Sequence, residues 1–129
     1  MALKVSEFNY DALYGAKDTY TGDLTGYVYN CPLCTGRLAC KSDMDLSSGI
    51  NTYNDSQYGA VYIVASSVNL PCGTIIRFEN KRIANGEILA IVLDRGVLGN
   101  AIDFLSPTYD YAIQLGRSTI TYDVLRSGW

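Results

Sequence analysis

Residues 88–96 read Ile88-Leu89-Ala90-Ile91-Val92-Leu93-Asp94-Arg95-Gly96. An unbroken apolar run of this length, rich in β-branched residues, predicts a strand buried on both faces. The Asp, Arg and Gly that follow end it in a loop. Toward the N-terminus, the polar stretch Lys81 to Gly86 predicts a hairpin connection to a strand at Ile75-Ile76-Arg77-Phe78. Before it, Pro71-Cys72-Gly73-Thr74 reads as a turn and Ala60 to Ala65 as a further apolar strand. Toward the C-terminus, the Gly-containing loop Arg95 to Asn100 leads into a short strand, Ala101 to Leu105. Pro107 to Leu115 predicts one short helix, with Ser106 as N-cap, Pro107 at the first helical position and Gly116 as the stop. Ser118 to Leu125 alternates and closes as a last strand.

The first strand is expected from Thr25, at Gly26-Tyr27-Val28-Tyr29, with a Cys-, Gly- and Ser-rich loop from Asn30 to about Gln57. Residues 1–24 are polar and lack alternation, which predicts a lead-in or linker, with the folded domain at 25–129. Short strands at regular spacing, about six in all with one or two short helices, predict a mainly β fold closed into a small barrel.

The chain has 129 residues, room for one domain with a sizeable core. Its net charge is −3 and its ten Lys and Arg are scattered, which argues against nucleic acid and against an anionic membrane surface. No stretch approaches a spanning helix, so membrane insertion is not expected. The first residues do not read as a signal peptide, and an export signal or anchor is expected to be absent from this sequence. There are no histidines. Proton transfer near neutral pH is therefore left to carboxylates, Tyr and Cys. The 11 tyrosines suit sugar rings, whose apolar faces lie on flat aromatics, and equally suit ordinary β-sheet surfaces.

Cys31, Cys34 and Cys40 lie close together and Cys72 is distant. Their pairing is not fixed by the sequence. Disulfides are favoured over a four-cysteine zinc site, because Cys40 and Cys72 lack the spacing of a ligand half; neither a metal nor another cofactor is expected.

Three segments occur in a set order: Leu70-Pro71-Cys72-Gly73-Thr74; then Leu93-Asp94-Arg95-Gly96 with Gly99-Asn100-Ala101-Ile102-Asp103; then Ala112 to Ile120. Together they resemble the 3D (three-aspartate) domain, a double-psi β-barrel found in stationary-phase survival proteins and related to MltA-type lytic transglycosylases. The resemblance covers about residues 25 to 126. It implies a six-stranded double-psi β-barrel that acts on peptidoglycan, secreted or associated with the cell wall. Asp94 and Asp103 match two of the family's aspartates. Ser66 stands where the first would be, and the loop between Asp94 and Asp103 is shorter than usual.

The implied activity is lytic transglycosylase cleavage of the MurNAc–GlcNAc β-1,4 bond, in which the muramic acid 6-hydroxyl attacks its own anomeric carbon and leaves a 1,6-anhydro sugar. One carboxyl serves both proton transfers, and Asp103 is the expected acid/base. Asp94 is expected either to raise the Asp103 pKa by like charge or to anchor the loop. Tyr27, Ser66, Arg95, Gly99 and Asn100 are the expected glycan contacts. Other readings are a hydrolytic endoglucanase, which needs two flanking carboxylates, a non-catalytic glycan-binding or wall-loosening barrel of the expansin kind, and a structural domain of a larger assembly. Strand exchange into a homodimer is a further possibility for a barrel with long loops.

Overall fold

The structure is a computed structural model that describes residues 12–30 and 36–129. Its strands are β1 (Asp18–Tyr27), β2 (Thr52–Asp55), β3 (Gly59–Ser66), β4 (Ile75–Glu79), β5 (Glu87–Arg95), β6 (Ile102–Leu105) and β7 (Ser118–Arg126), with helix α1 (Tyr109–Leu115) between the last two. A helical turn at residues 12–14 precedes β1.

The hydrogen-bonded order is β2-β3-β5-β4-β7-β1-β6, and β6 returns to pair with β3. Six strands therefore close on themselves, and β2 extends the free half of one β3 edge. Two pairs are parallel, β1 with β6 and β3 with β5; the remaining pairings are antiparallel. This is the mainly β, double-psi barrel that the sequence implied.

Strand alternation divides the apolar residues between two clusters. Leu24, Val64, Ile76, Phe78, Ile88, Ala90, Val92, Ile102, Phe104, Ile120, Tyr122 and Val124 fill the barrel, with every barrel strand contributing. Ile63, Ile75, Ile91, Leu93, Leu105 and Leu125 point outward and are covered by Leu38 and Leu46 of the long loop before β2. The run at 88–93 is thus buried on both sides because one face lines the barrel and the other lies under that loop. Truncating Ile91 to Ala would cost about 2–5 kcal/mol.

Three sequence expectations are corrected. β1 begins at Asp18, so residues 18–24 belong to the barrel and not to a lead-in. They are paired with β7 from Asp18↔Val124 to Leu24↔Ser118, and their polarity reflects an outer face in water. The expected loop from Asn30 to Gln57 contains β2, hairpinned onto β3. The helix is capped by Thr108, not Ser106, and starts at Tyr109, not Pro107: the Thr108 hydroxyl accepts from Tyr111 N at 3.1 Å. Ser106 is instead buried, its N–H donating to Tyr27 O and its hydroxyl to Phe104 O. Gly116 does stop the helix, at φ 60°.

Candidate functional site

β3 holds the key to the site. Its Ala65 is the register partner of Asp103 on β6 along one edge and of Asp94 on β5 along the other. Two strand spacings therefore separate the two aspartates, about 10 Å between Cα atoms. Ala65 is small and 2% exposed, so little bulk stands between them.

Asp94 reaches that face because of a β-bulge. Val64 pairs with Val92, but Ala65 pairs with Asp94, which makes Leu93 an extra residue on β5. Without it, Asp94 would follow the parity of Ala90 and Val92 and point into the barrel. Bulges re-aim side chains in this way and recur beside functional sites.

The two carboxylates have different surroundings. Asp94 Oδ1 accepts from Ala39 N at 3.0 Å and from Arg95 N at 2.9 Å, and Oδ2 accepts the Tyr27 hydroxyl at 2.9 Å. With Cys40 N donating to Leu93 O at 2.8 Å, these bonds fasten the covering loop to the end of β5. Asp103 takes one side-chain bond, from Thr25 Oγ1 at 2.9 Å, its register partner on β1. Burial pushes the Asp103 carboxyl above its ordinary range; the Thr25 bond opposes this and the Asp94 charge adds to it. Burial and then the Asp94 charge likewise push the Tyr27 phenol upward, so it stays a proton donor.

The structure thus brings Tyr27, Asp94 and Asp103 together and adds Thr25, which sequence reasoning passed over; its place opposite Asp103 depends on the β1–β6 register. The other expected contacts lie along the adjoining rim. Ser66 is 2% exposed, donates to Ser67 O at 2.8 Å and accepts from Arg95 Nη1 at 3.2 Å. The Arg95 Nη2 reaches Cys72 Sγ at 3.7 Å. Gly99 O accepts from Ser67 Oγ at 2.8 Å, and Asn100 O accepts the Tyr122 hydroxyl at 3.0 Å. Ser66, Gly99 and Asn100 accordingly take part in holding the rim loops together.

Cys40 and Cys72 form a disulfide with Cα atoms 5.7 Å apart. It ties the covering loop to the turn before β4. Sulfurs joined in this way are not thiolate ligands, so the four-cysteine zinc alternative does not apply. Cys31 and Cys34 lie outside the described residues. Among the described residues no group of His, Cys, Asp or Glu is arranged to hold a metal ion, and no helix is long and apolar enough to cross a membrane.

A second charged pair was not legible in the sequence. Asp55, 6% exposed, is gripped by Arg126: Nη2 to Oδ1 at 2.7 Å and Nη1 to Oδ2 at 2.8 Å. Gln57 N and Tyr58 N also donate to Oδ2. Arg126 further reaches Gly73 O at 2.7 Å and lies 5.5 Å from the Tyr58 ring centroid. The pair clasps the β2–β3 hairpin to the last strand.

No family model matches the chain, and no curated protein matches it. Among solved structures, the fold is similar to an expansin of Clavibacter michiganensis, with a TM-score of 0.50, 18% identity, and 87% of this chain against 52% of that one. It is also similar to a Streptomyces papain inhibitor, with a TM-score of 0.51, 20% identity, and 87% of this chain against 98% of that one. The chain spans about half the length of the expansin. At these identities the likeness concerns the fold: what this protein shares with both is a barrel of the double-psi kind.

Proposed function

We propose that this barrel binds cell-wall glycan without hydrolysing it, in the manner of an expansin-like module, with Asp103 as its central polar contact. The observation that carries the reading is the unequal use of the two carboxylates. Asp94 has both oxygens committed to Ala39, Arg95 and Tyr27. A hydrolase of the usual kind needs two carboxylates, one as acid and one as base or nucleophile. Here one is a loop anchor, and only Asp103 remains for a ligand. Its carboxyl, with a single side-chain bond from Thr25, has acceptor capacity left for sugar hydroxyls. Thr25 beside it offers a hydroxyl as a neighbouring contact, and the Tyr27 ring offers apolar surface. The barrel shared with the Clavibacter expansin supports a wall-associated role, and the Cys40–Cys72 disulfide suits an oxidising, extracellular setting.

A second reading keeps Asp103 as the single acid/base of a lytic transglycosylase acting on peptidoglycan. The upward shift of its pKa favours that role as well. Incubation with purified peptidoglycan and with cellulose separates the two readings. Sedimentation with the polymer and no released sugar supports the binding module. Anhydro-muropeptides that vanish in Asp103→Asn establish the lyase, and new reducing ends establish a hydrolase. Absence of both retention and products removes the glycan reading.

A further inference from the structure

Trp129 is the single tryptophan of the sequence, and its side chain is both exposed and fixed. It is 63% exposed, yet one face of the indole lies flat on the backbone of Gly73. A Cβ added at Gly73 would stand 2.5 Å from Trp129 Cδ2 and 2.7 Å from Cγ, so the ring occupies the space that any other residue would fill. Gly73 has φ +87°, a conformation that suits glycine, so the turn supplies a bare backbone surface for the ring. The residues leading to the indole are held too. Gly128 N donates to Thr74 Oγ1 at 3.0 Å, and Arg126 Nε donates to Gly128 O at 2.7 Å. Arg126 is itself locked by Asp55.

An exposed tryptophan usually loses side-chain freedom when a ligand covers it. This one has already lost much of it. The side of the ring away from Gly73 is open to solvent. Polar side chains adjoin the segments that seat it: Gln57 is bonded to Arg126, which holds Gly128 O, and Arg95 reaches the sulfur of Cys72, the residue before Gly73. A β-linked pyranose has the complementary shape, a flat C–H face ringed by equatorial hydroxyls.

We infer that Trp129, seated on Gly73, is a stacking platform for one pyranose ring of a β-1,4-linked glycan. The platform is joined to the Asp103 cluster through the turn. Gly73 adjoins Cys72, the Cys72 sulfur touches Arg95, and Arg95 follows Asp94 on β5. The inference rests on the glycan-binding reading and adds a second point of contact to it.

The lone tryptophan is its own reporter. Chitohexaose and cellohexaose are titrated into the protein while indole emission and, separately, calorimetric heat are followed. The expected result is a saturable emission change with at least one hexaose. Trp129→Ala should weaken that hexaose about fivefold to tenfold, while Trp129→Tyr, which keeps a flat ring, should stay within about threefold of wild type. Circular dichroism of both variants verifies the fold. Calorimetric binding that leaves emission unchanged and is equal in Trp129→Ala overturns the platform and leaves the glycan reading standing. Absence of heat with either hexaose, together with absence of retention on peptidoglycan and cellulose, overturns both.

Discussion

The Tyr27 hydroxyl donates to Asp94 Oδ2 at 2.9 Å, although their strands, β1 and β5, are not neighbours in the barrel. The phenol reaches across β6 and β3 on the outer face, next to Asp103. It is the one side-chain link between the first strand and the end of the bulged strand among the described contacts. Tyr27→Phe keeps the ring and removes the donor, leaving a part-buried carboxylate oxygen short of a partner. Equilibrium unfolding in urea should show a loss of about 1–3 kcal/mol with an unchanged m-value. An unaltered midpoint would mean that water replaces the hydroxyl at no cost.

Asp103 should make stability fall as pH rises. Its folded pKa is raised, chiefly by burial, so the folded state holds the proton more tightly than the unfolded chain. Below the unfolded carboxylate pKa, near 3.9, both states are protonated and there is no loss. Stability falls as pH climbs from there through the raised folded value, and stays reduced above it. Asp103→Asn abolishes this dependence. The difference between wild type and variant should therefore move in favour of the variant between pH 3 and pH 8, measured by denaturant unfolding at each pH. A constant difference across that range would contradict the assignment.

The Asp55–Arg126 clasp runs the opposite way. Asp55 is held below its ordinary range, first by the Arg126 hydrogen bonds, so its contribution is present above the unfolded pKa and is lost as pH falls through the folded one. Removing one partner strands the other charge. Asp55→Ala should cost about 3–5 kcal/mol near neutral pH, and Asp55→Ala combined with Arg126→Met should recover part of it. If the double variant is less stable than either single, the bonds from Arg126 to Gly73 O and Gly128 O matter more than the ion pair.

Cys40 and Cys72 are 32 positions apart, and the bond between them restrains the unfolded chain. Replacing both with Ala should lower stability by about 3–4 kcal/mol on the loop-entropy account. It should also loosen the hold of Ala39 N and Cys40 N on β5. Amide exchange should quicken at these two positions before it does in the barrel strands.

Gly22 is a steric requirement. A Cβ there would run into the Asn100 carbonyl, which also accepts the Tyr122 hydroxyl. Gly22→Ala should cost about 1–3 kcal/mol by overpacking. Gly86→Ala meets no atom but sits at φ +83°, so its penalty is conformational alone and should be smaller, at about 1 kcal/mol. Thermal melts of the two variants rank them.

What the sequence revealed follows the strength of the apolar signal. β5 and β6 were legible because Ile88 to Leu93 and Ile102 to Leu105 are dense with core residues. The first half of β1 was not, because Asp18-Thr19-Tyr20-Thr21-Gly22-Asp23 has little to bury, and its place is set by pairing with β7. β2 was hidden for the same reason, being four residues long with only Asp55 buried. Ser106 looked like a cap, but packing claimed its hydroxyl and left the task to Thr108. The pair of aspartates was visible only through the ordered motifs. Neither the bulge at Leu93 nor the shared partner Ala65 has a local signature, since both are properties of register. The Asp55–Arg126 pair, 71 positions apart, was beyond any local pattern.

The position of β1 also governs the order of events in making the protein. It pairs with β6 and β7 alone, so Thr19 meets Asp123 across 104 positions of chain. During synthesis β1 emerges before either of its two partners, β6 and β7. Until β7 is made, the β1 and β4 edges face each other across an open gap, and the barrel core is uncovered on that side. Contacts this remote in sequence slow folding and lengthen the time that apolar surface stays open to other chains. Closure of the barrel is therefore a late event that follows synthesis of β7, and the Asp103 site, whose Thr25 and Tyr27 ride on β1, cannot be assembled before β6 is made.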